Sequence, residues 1–143
     1  MRGNLVPVAE LMDQHLMAEW RELKMIPPAL RKSLRTRTLD QVLDSIPSKY
    51  VLGKGHITFW YNKLSFLTQR YTLLTTELLA RGFNLKYRGG FENFTKGLPE
   101  IFFNDYFPTP AEIAVSRQRI EEKIAMKPSW YKKTPIKVQE PEL

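Results

Sequence analysis

Between residues 60 and 78 the chain carries Trp60, Leu64, Leu67, Tyr71, Leu74 and Leu78, large apolar residues that step by four and three. That is the spacing of a buried helix face, not the period of two of a half-buried strand. The helix it predicts begins near Gly55-His56 and runs to Arg81, with Gly82 ending it. A first helix is expected after Pro7, running to about Lys24 before Pro27-Pro28 stop it. A third opens at Thr109-Pro110-Ala111-Glu112, which reads as a capping box with proline at the first helical position, and continues to about Met126. Shorter helices are expected at 29–35 and 39–46. Residues 86–107 hold glycines and prolines without a sustained period and read as loop with one short turn. No strand pair is convincing. The expected fold is all-α, one domain over 1–143 with three main helices, short helices and long loops, and 134–143 as a flexible tail.

Composition narrows the function classes. A chain of 143 residues can bury a real core, and 43% hydrophobic with 12% aromatic content is that of a folded protein. With no cysteine, disulfides and thiolate zinc sites are excluded, and His15 and His56 alone make a poor metal centre. No metal and no cofactor are expected. The start has no long apolar segment and no later run reaches membrane-spanning length, so a cytosolic monomer is expected. Twenty-two Lys and Arg against fifteen Asp and Glu give a net charge of +7. That balance favours polyanionic partners, nucleic acid ahead of an anionic membrane surface.

On the first helix Ala9, Met12, Leu16, Trp20 and Leu23 fall within an arc of about 80° and form the expected core stripe. Glu10, Asp13 and Lys24 read as solvated. The remaining arc holds Leu11, Gln14, His15, Ala18, Arg21 and Glu22. His15 and Glu22 are seven apart, hence on one face and roughly 10 Å from each other, with small Ala18 between. Such a polar floor suits a charged ligand. The same residues also describe a solvated face with an ordinary Arg21–Glu22 pair and a packing histidine.

On the third helix Arg119, Lys123 and Lys127 recur at four-residue spacing, with Arg117 on a neighbouring arc. The ridge can neutralise successive phosphates or stand in solvent paired with Glu121 and Glu122. After it, Trp130 and Tyr131 alternate with cations and suit either stacking on a base or tucking the chain end onto the core, the second being favoured. Arg31, Lys32, Arg35 and Arg37 form a further basic cluster.

The run Asp13-Gln-His-Leu-Met-Ala-Glu-Trp-Arg-Glu-Leu23 resembles the first helix of the phage-type pyrimidine-dimer DNA glycosylases. Val51-Leu-Gly-Lys-Gly-His-Ile-Thr-Phe-Trp-Tyr-Asn-Lys63, Arg81-Gly-Phe-Asn84 and Arg119-Ile-Glu-Glu-Lys-Ile-Ala-Met-Lys-Pro-Ser-Trp-Tyr-Lys132 resemble the same family in the same order. The resemblance implies an all-helical enzyme of the phage or bacterial-host cytosol that binds duplex DNA containing a cis-syn cyclobutane pyrimidine dimer. It implies that the duplex is kinked and the nucleotide opposite the lesion extruded. The N-terminal amine, here that of Met1, would attack C1′ of the 5′ pyrimidine nucleotide, form an imine and cut the strand by β-elimination. Glu22 matches the family's essential carboxylate. Arg2, Gln14, His15 and Arg21 match positions lining that site, and Arg119 and Lys123 match residues on the DNA-facing helix.

The chemistry suits these groups. An α-amine has an ordinary pKa of about 7.7–8.0, so a useful fraction is neutral near pH 7, and nearby Arg2 and Arg21 would lower it further. A carboxylate can stabilise the cationic sugar and move protons. The sequence departs from the family at three places. Arg2 follows Met1 directly where relatives begin Met-Thr-Arg, which blocks methionine removal and puts Met1 in register with the family's threonine. Met25 replaces a phosphate-contacting arginine. The tail after Tyr131 continues Lys132-Lys133-Thr134 in place of further aromatics. The alternatives are the same lyase chemistry on another base lesion and a non-catalytic basic DNA-binding protein.

Overall fold

The computed structural model describes residues 3–137 and, among them, is helical without strands. Met1, Arg2 and residues 138–143 lie outside the described residues. The α-helices are α1 (Asp13–Leu23), α2 (Ile26–Thr36), α3 (Leu39–Asp44), α4 (Leu64–Ala80), α5 (Glu92–Thr95) and α6 (Pro110–Met126).

The stripe on α4 is buried as its spacing requires: Leu64, Leu67, Tyr71, Leu74 and Leu78 face the core beside Trp60. Leu16, Trp20 and Leu23 of α1 pack into the same core. Trp20 lies nearly parallel to Tyr71 at 5.9 Å and donates its indole N–H to Thr75 at 3.0 Å. Gly82 ends α4 with φ +92°, while Phe83 N–H reaches back to the Leu78 carbonyl at 3.0 Å. This is the left-handed glycine cap that closes a helix. The Thr109 capping box on α6 is formed, with Glu112 N–H on Thr109 Oγ1 at 3.2 Å and Thr109 N–H on Glu112 Oε1 at 3.0 Å.

Three boundaries differ from expectation. The first helix does not start at Pro7. Val8–Glu10 forms a single 3-10 turn, Leu11 and Met12 are extended, and α1 begins at Asp13. The break turns Leu11 fully inward, whereas Ala9 of the expected core stripe is exposed. Pro27 and Pro28 lie in the first turn of α2 rather than in a loop after α1. Proline lacks the N–H that would continue α1, yet that N–H is unneeded in a first turn, so one helix ends and the next begins almost at once. The long helix starts at Leu64, not near Gly55. A 3-10 turn at Thr58–Trp60 precedes it, and Phe66 N–H bonds the distant Asn104 carbonyl at 3.3 Å. Residues 86–107 contain α5 and a third 3-10 turn, Glu100–Phe102, and they bury Phe91 and Phe102.

The N-terminal segment is built in. Gly3, Asn4, Leu5 and Val6 are all buried. Gly3 has φ +73°, and a Cβ there would overlap the Trp60 indole, so both backbone and space call for glycine. Leu5 N–H bonds Ser116 of α6 at 3.0 Å, and the Asn4 amide donates to Glu19 of α1 at 2.9 Å. Glu19 is fully buried and receives Arg70 of α4 through two bonds of 2.7 and 3.0 Å, while Arg70 also bonds the Val6 carbonyl at 2.6 Å. This ion pair ties the N-terminal segment, α1 and α4 together.

Candidate functional site

The exposed side of α1 separates two clefts. One, of about 450 Å³, is lined by Asp13, Gln14, Met17, Ala18 and Arg21 together with Phe83, Trp130 and Lys132. The other, of about 370 Å³, lies between Met17, Trp20, Arg21 and Lys24 and residues 84–87. Arg21, exposed and shared by both, stands on the ridge between them. A third cavity of about 450 Å³, between residues 48–50 and the start of α6, holds none of the expected site residues. Lys24 is not simply solvated: its ammonium lies 3.4 Å from the centre of the Trp20 ring, and burial, then the Arg21 charge, lower its pKa.

His15 and Glu22 occupy the neighbouring flank of α1, so the expected polar floor is split. Gln14, Ala18 and Arg21 line the first cleft, while His15 and Glu22 do not. Glu22 is half-buried in the last turn of α1. His15 is 7% exposed and stacks on Tyr131 at 4.6 Å, and neither of its ring nitrogens has a hydrogen-bond partner among the described residues. Its pKa is lowered by burial and next by the positive charge of Lys123, which places this α6 lysine near the His15 flank of α1. Arg119 and Lys123 are half-buried and Lys127 exposed, and none makes an ion pair among the described residues. Glu122, the acid offered as a partner for the ridge, accepts instead from Gln118 at 3.2 Å.

The charge distribution is therefore sorted. Arg70, Arg81 and Arg117 are held by Glu19, by Asp13 and Glu77, and by Glu10, in pairs that fasten the fold. Arg21, Arg119, Lys123 and Lys127 remain available on α1 and α6. Charges left unpaired on neighbouring helices sum into a local positive field that a polyanion can use.

The chain after α6 crosses α1. Gln14 and Asp13 bond residues 130–134, Lys137 N–H bonds the Ala80 carbonyl at 2.9 Å, and so the described part of the expected flexible tail is held in place. Tyr131 is half-buried on His15, the packing role favoured for it, whereas Trp130 is 56% exposed at the first cleft. Sequence reasoning passed over Asp13 as solvated. Its carboxylate accepts from Arg81 at 2.9 Å and from Thr134, and although burial opposes it, these bonds hold its pKa below the ordinary value. Phe83 and Lys132 as cleft walls were also not foreseen, since nothing local marks a contact across that much chain.

These features define an all-α protein in which α1 and α6 carry cations without ion pairs among the described residues and the exposed Trp130 ring stands at the first cleft. The family model for pyrimidine dimer DNA glycosylases matches residues 1–88, and the protein belongs to that family. It is a DNA-repair glycosylase whose substrate is DNA carrying pyrimidine dimers. The matched stretch includes α1 to α4 and ends before α5 and α6. No helix among the described residues is long and apolar enough to cross a membrane.

Proposed function

We propose that this glycosylase is also an abasic-site lyase, using the α-amine of Met1 as nucleophile and Glu22 as the catalytic carboxylate, and that it acts as a monomer. The amine attacks C1′ of the 5′ nucleotide of a cis-syn cyclobutane dimer. The N-glycosidic bond breaks, its electron pair leaves with the base, and a proton is delivered to that base, which stays joined to its neighbour through the cyclobutane. Loss of the amine proton and opening of the sugar at O4′ give the imine. Removal of a C2′ proton then expels the 3′ phosphate and cuts the strand. Glu22 stabilises the cationic sugar and carries these protons, a role open to a positioned carboxylate.

The observation that carries this reading is the half-buried Glu22 in the last turn of α1, the helix that also holds the exposed Arg21. Glu22 sits on the α1 flank shared with His15, and Lys123 of α6 faces that flank. The anchored residues 3–6 bond Glu19 of α1 and Ser116 of α6, the same two helices. Gln14, His15 and Arg21 supply the α1 side of the proposed site, Arg2 joins it on the strength of the family resemblance alone, and Arg119, Lys123, Trp130 and Tyr131 supply the DNA contacts around it.

Glu22→Gln tests the assignment. The amide keeps size and shape but loses charge and basicity. The variant is expected to melt like the parent and still bind dimer DNA, with single-turnover excision slowed at least about a hundredfold. Excision at the parental rate by the folded variant would show that the chemistry lies elsewhere.

A further inference from the structure

We infer that Gln14 is a positioning residue for lesion binding, acting through Trp130. Residues 130–134 have no helical or sheet bonding of their own, yet they are fixed to α1 at five points. The Gln14 amide donates to the Trp130 carbonyl at 2.7 Å and accepts from Lys132 N–H at 3.1 Å. Asp13 N–H donates to the Lys132 carbonyl at 2.7 Å, and the Asp13 carboxylate accepts from Thr134 N–H at 3.1 Å and from Thr134 Oγ1. An uncharged amide carries a donor and an acceptor side by side, so Gln14 can serve the Trp130 carbonyl and the Lys132 N–H at once.

A clamp whose purpose was only to fasten the chain end would bury its largest side chain. Here the Trp130 ring is left 56% exposed while its backbone is held still. Rigid presentation of an open aromatic face lowers the ordering cost of binding. The surroundings define what the ring meets. Met17, Ala18 and Phe83 give an apolar floor, and Arg21 and Lys132 put positive charge at the rim. That combination takes a flat nucleobase displaced from its stack, with its phosphate against the cations. This rests on the proposed reading that the segment after α6 meets DNA.

The test is a double-mutant cycle on Gln14→Ala and Trp130→Ala. Binding to a dimer duplex and to its undamaged counterpart is measured alongside single-turnover excision at saturation. Gln14→Ala is expected to weaken dimer-duplex binding about five- to tenfold, the scale of one base–aromatic stack. In the Trp130→Ala background the same change is expected to cost less than about twofold, because its route of action is gone. Thr134→Val, which removes one clamp bond far from the cleft mouth, is expected to weaken binding in the same direction by less.

Parental affinity in Gln14→Ala overturns the inference. So does an undiminished loss in the Trp130→Ala background, which would make Gln14 a direct contact. Parental affinity in Trp130→Ala has a different meaning: it removes the DNA-contacting role of the segment and the inference with it.

Discussion

His15 shows how one buried side chain ties stability to pH. It lies under the Tyr131 ring with no hydrogen bond among the described residues, and burial and Lys123 hold its pKa below the ordinary 6.5. On acidification the unfolded chain therefore takes this proton first. The stabilising contribution is complete above about pH 6.5 and is lost as pH falls below it and through the folded value. Melting temperature should decline between about pH 7 and 5, and His15→Phe, which keeps a ring on Tyr131, should flatten that slope. A slope unchanged in His15→Phe would assign it to another group. Asp13 and Glu112, both shifted down, act at lower pH. Glu19 makes a second prediction at this scale. Removing it leaves Arg70 buried and unpaired, so Glu19→Ala should cost about 3–5 kcal/mol in denaturant unfolding. A cost under about 1 kcal/mol would mean that water replaces the lost carboxylate. Glu19 was invisible in the sequence for a simple reason. Nothing local marks it, because its partners Asn4 and Arg70 lie 15 and 51 residues away.

At the scale of elements, what could be read locally was read well. Helix α6 carries its own start in Thr109 and Glu112, and α4 carries its end in Gly82 and its face in Leu64, Leu67, Tyr71, Leu74 and Leu78. What failed depended on distant chain. The start of α1 is set where Asp13 N–H bonds the Lys132 carbonyl, and the start of α4 is set in part by Asn104. The candidate site divides the same way. The residue types on α1 were legible, but their separation into a cleft wall and a buried flank follows from the segment 130–134 packed across the helix. On α6 the spacing of Arg119, Lys123 and Lys127 was legible, and none of the three makes an ion pair among the described residues. If this ridge meets phosphates, Lys123→Ala should weaken binding to damaged and undamaged duplex alike and shallow the log–log salt dependence by about one unit. An unchanged salt dependence would return the ridge to bulk solvent.

For the whole molecule, four carboxylates are committed to arginines within the fold, while Arg21, Arg119, Lys123 and Lys127 make no ion pair among the described residues. Glu10, Asp13, Glu19 and Glu77 bind arginines that join the N-terminal segment, α1, α4 and α6, and this leaves α1 and α6 to present unpaired charge toward a polyanion. The family assignment gives that polyanion its identity as dimer-containing DNA. In the proposed mechanism the sugar of the 5′ nucleotide passes through an imine on the N-terminal amine. Borohydride reduction during turnover on a dimer-containing duplex tests it directly, because reduction converts the imine into a stable amine link between protein and DNA. A covalent adduct is expected in which the DNA is attached to the α-nitrogen of residue 1, and it should be lost after selective N-terminal acetylation. Attachment to a lysine, or trapping undiminished by acetylation, would contradict that mechanism.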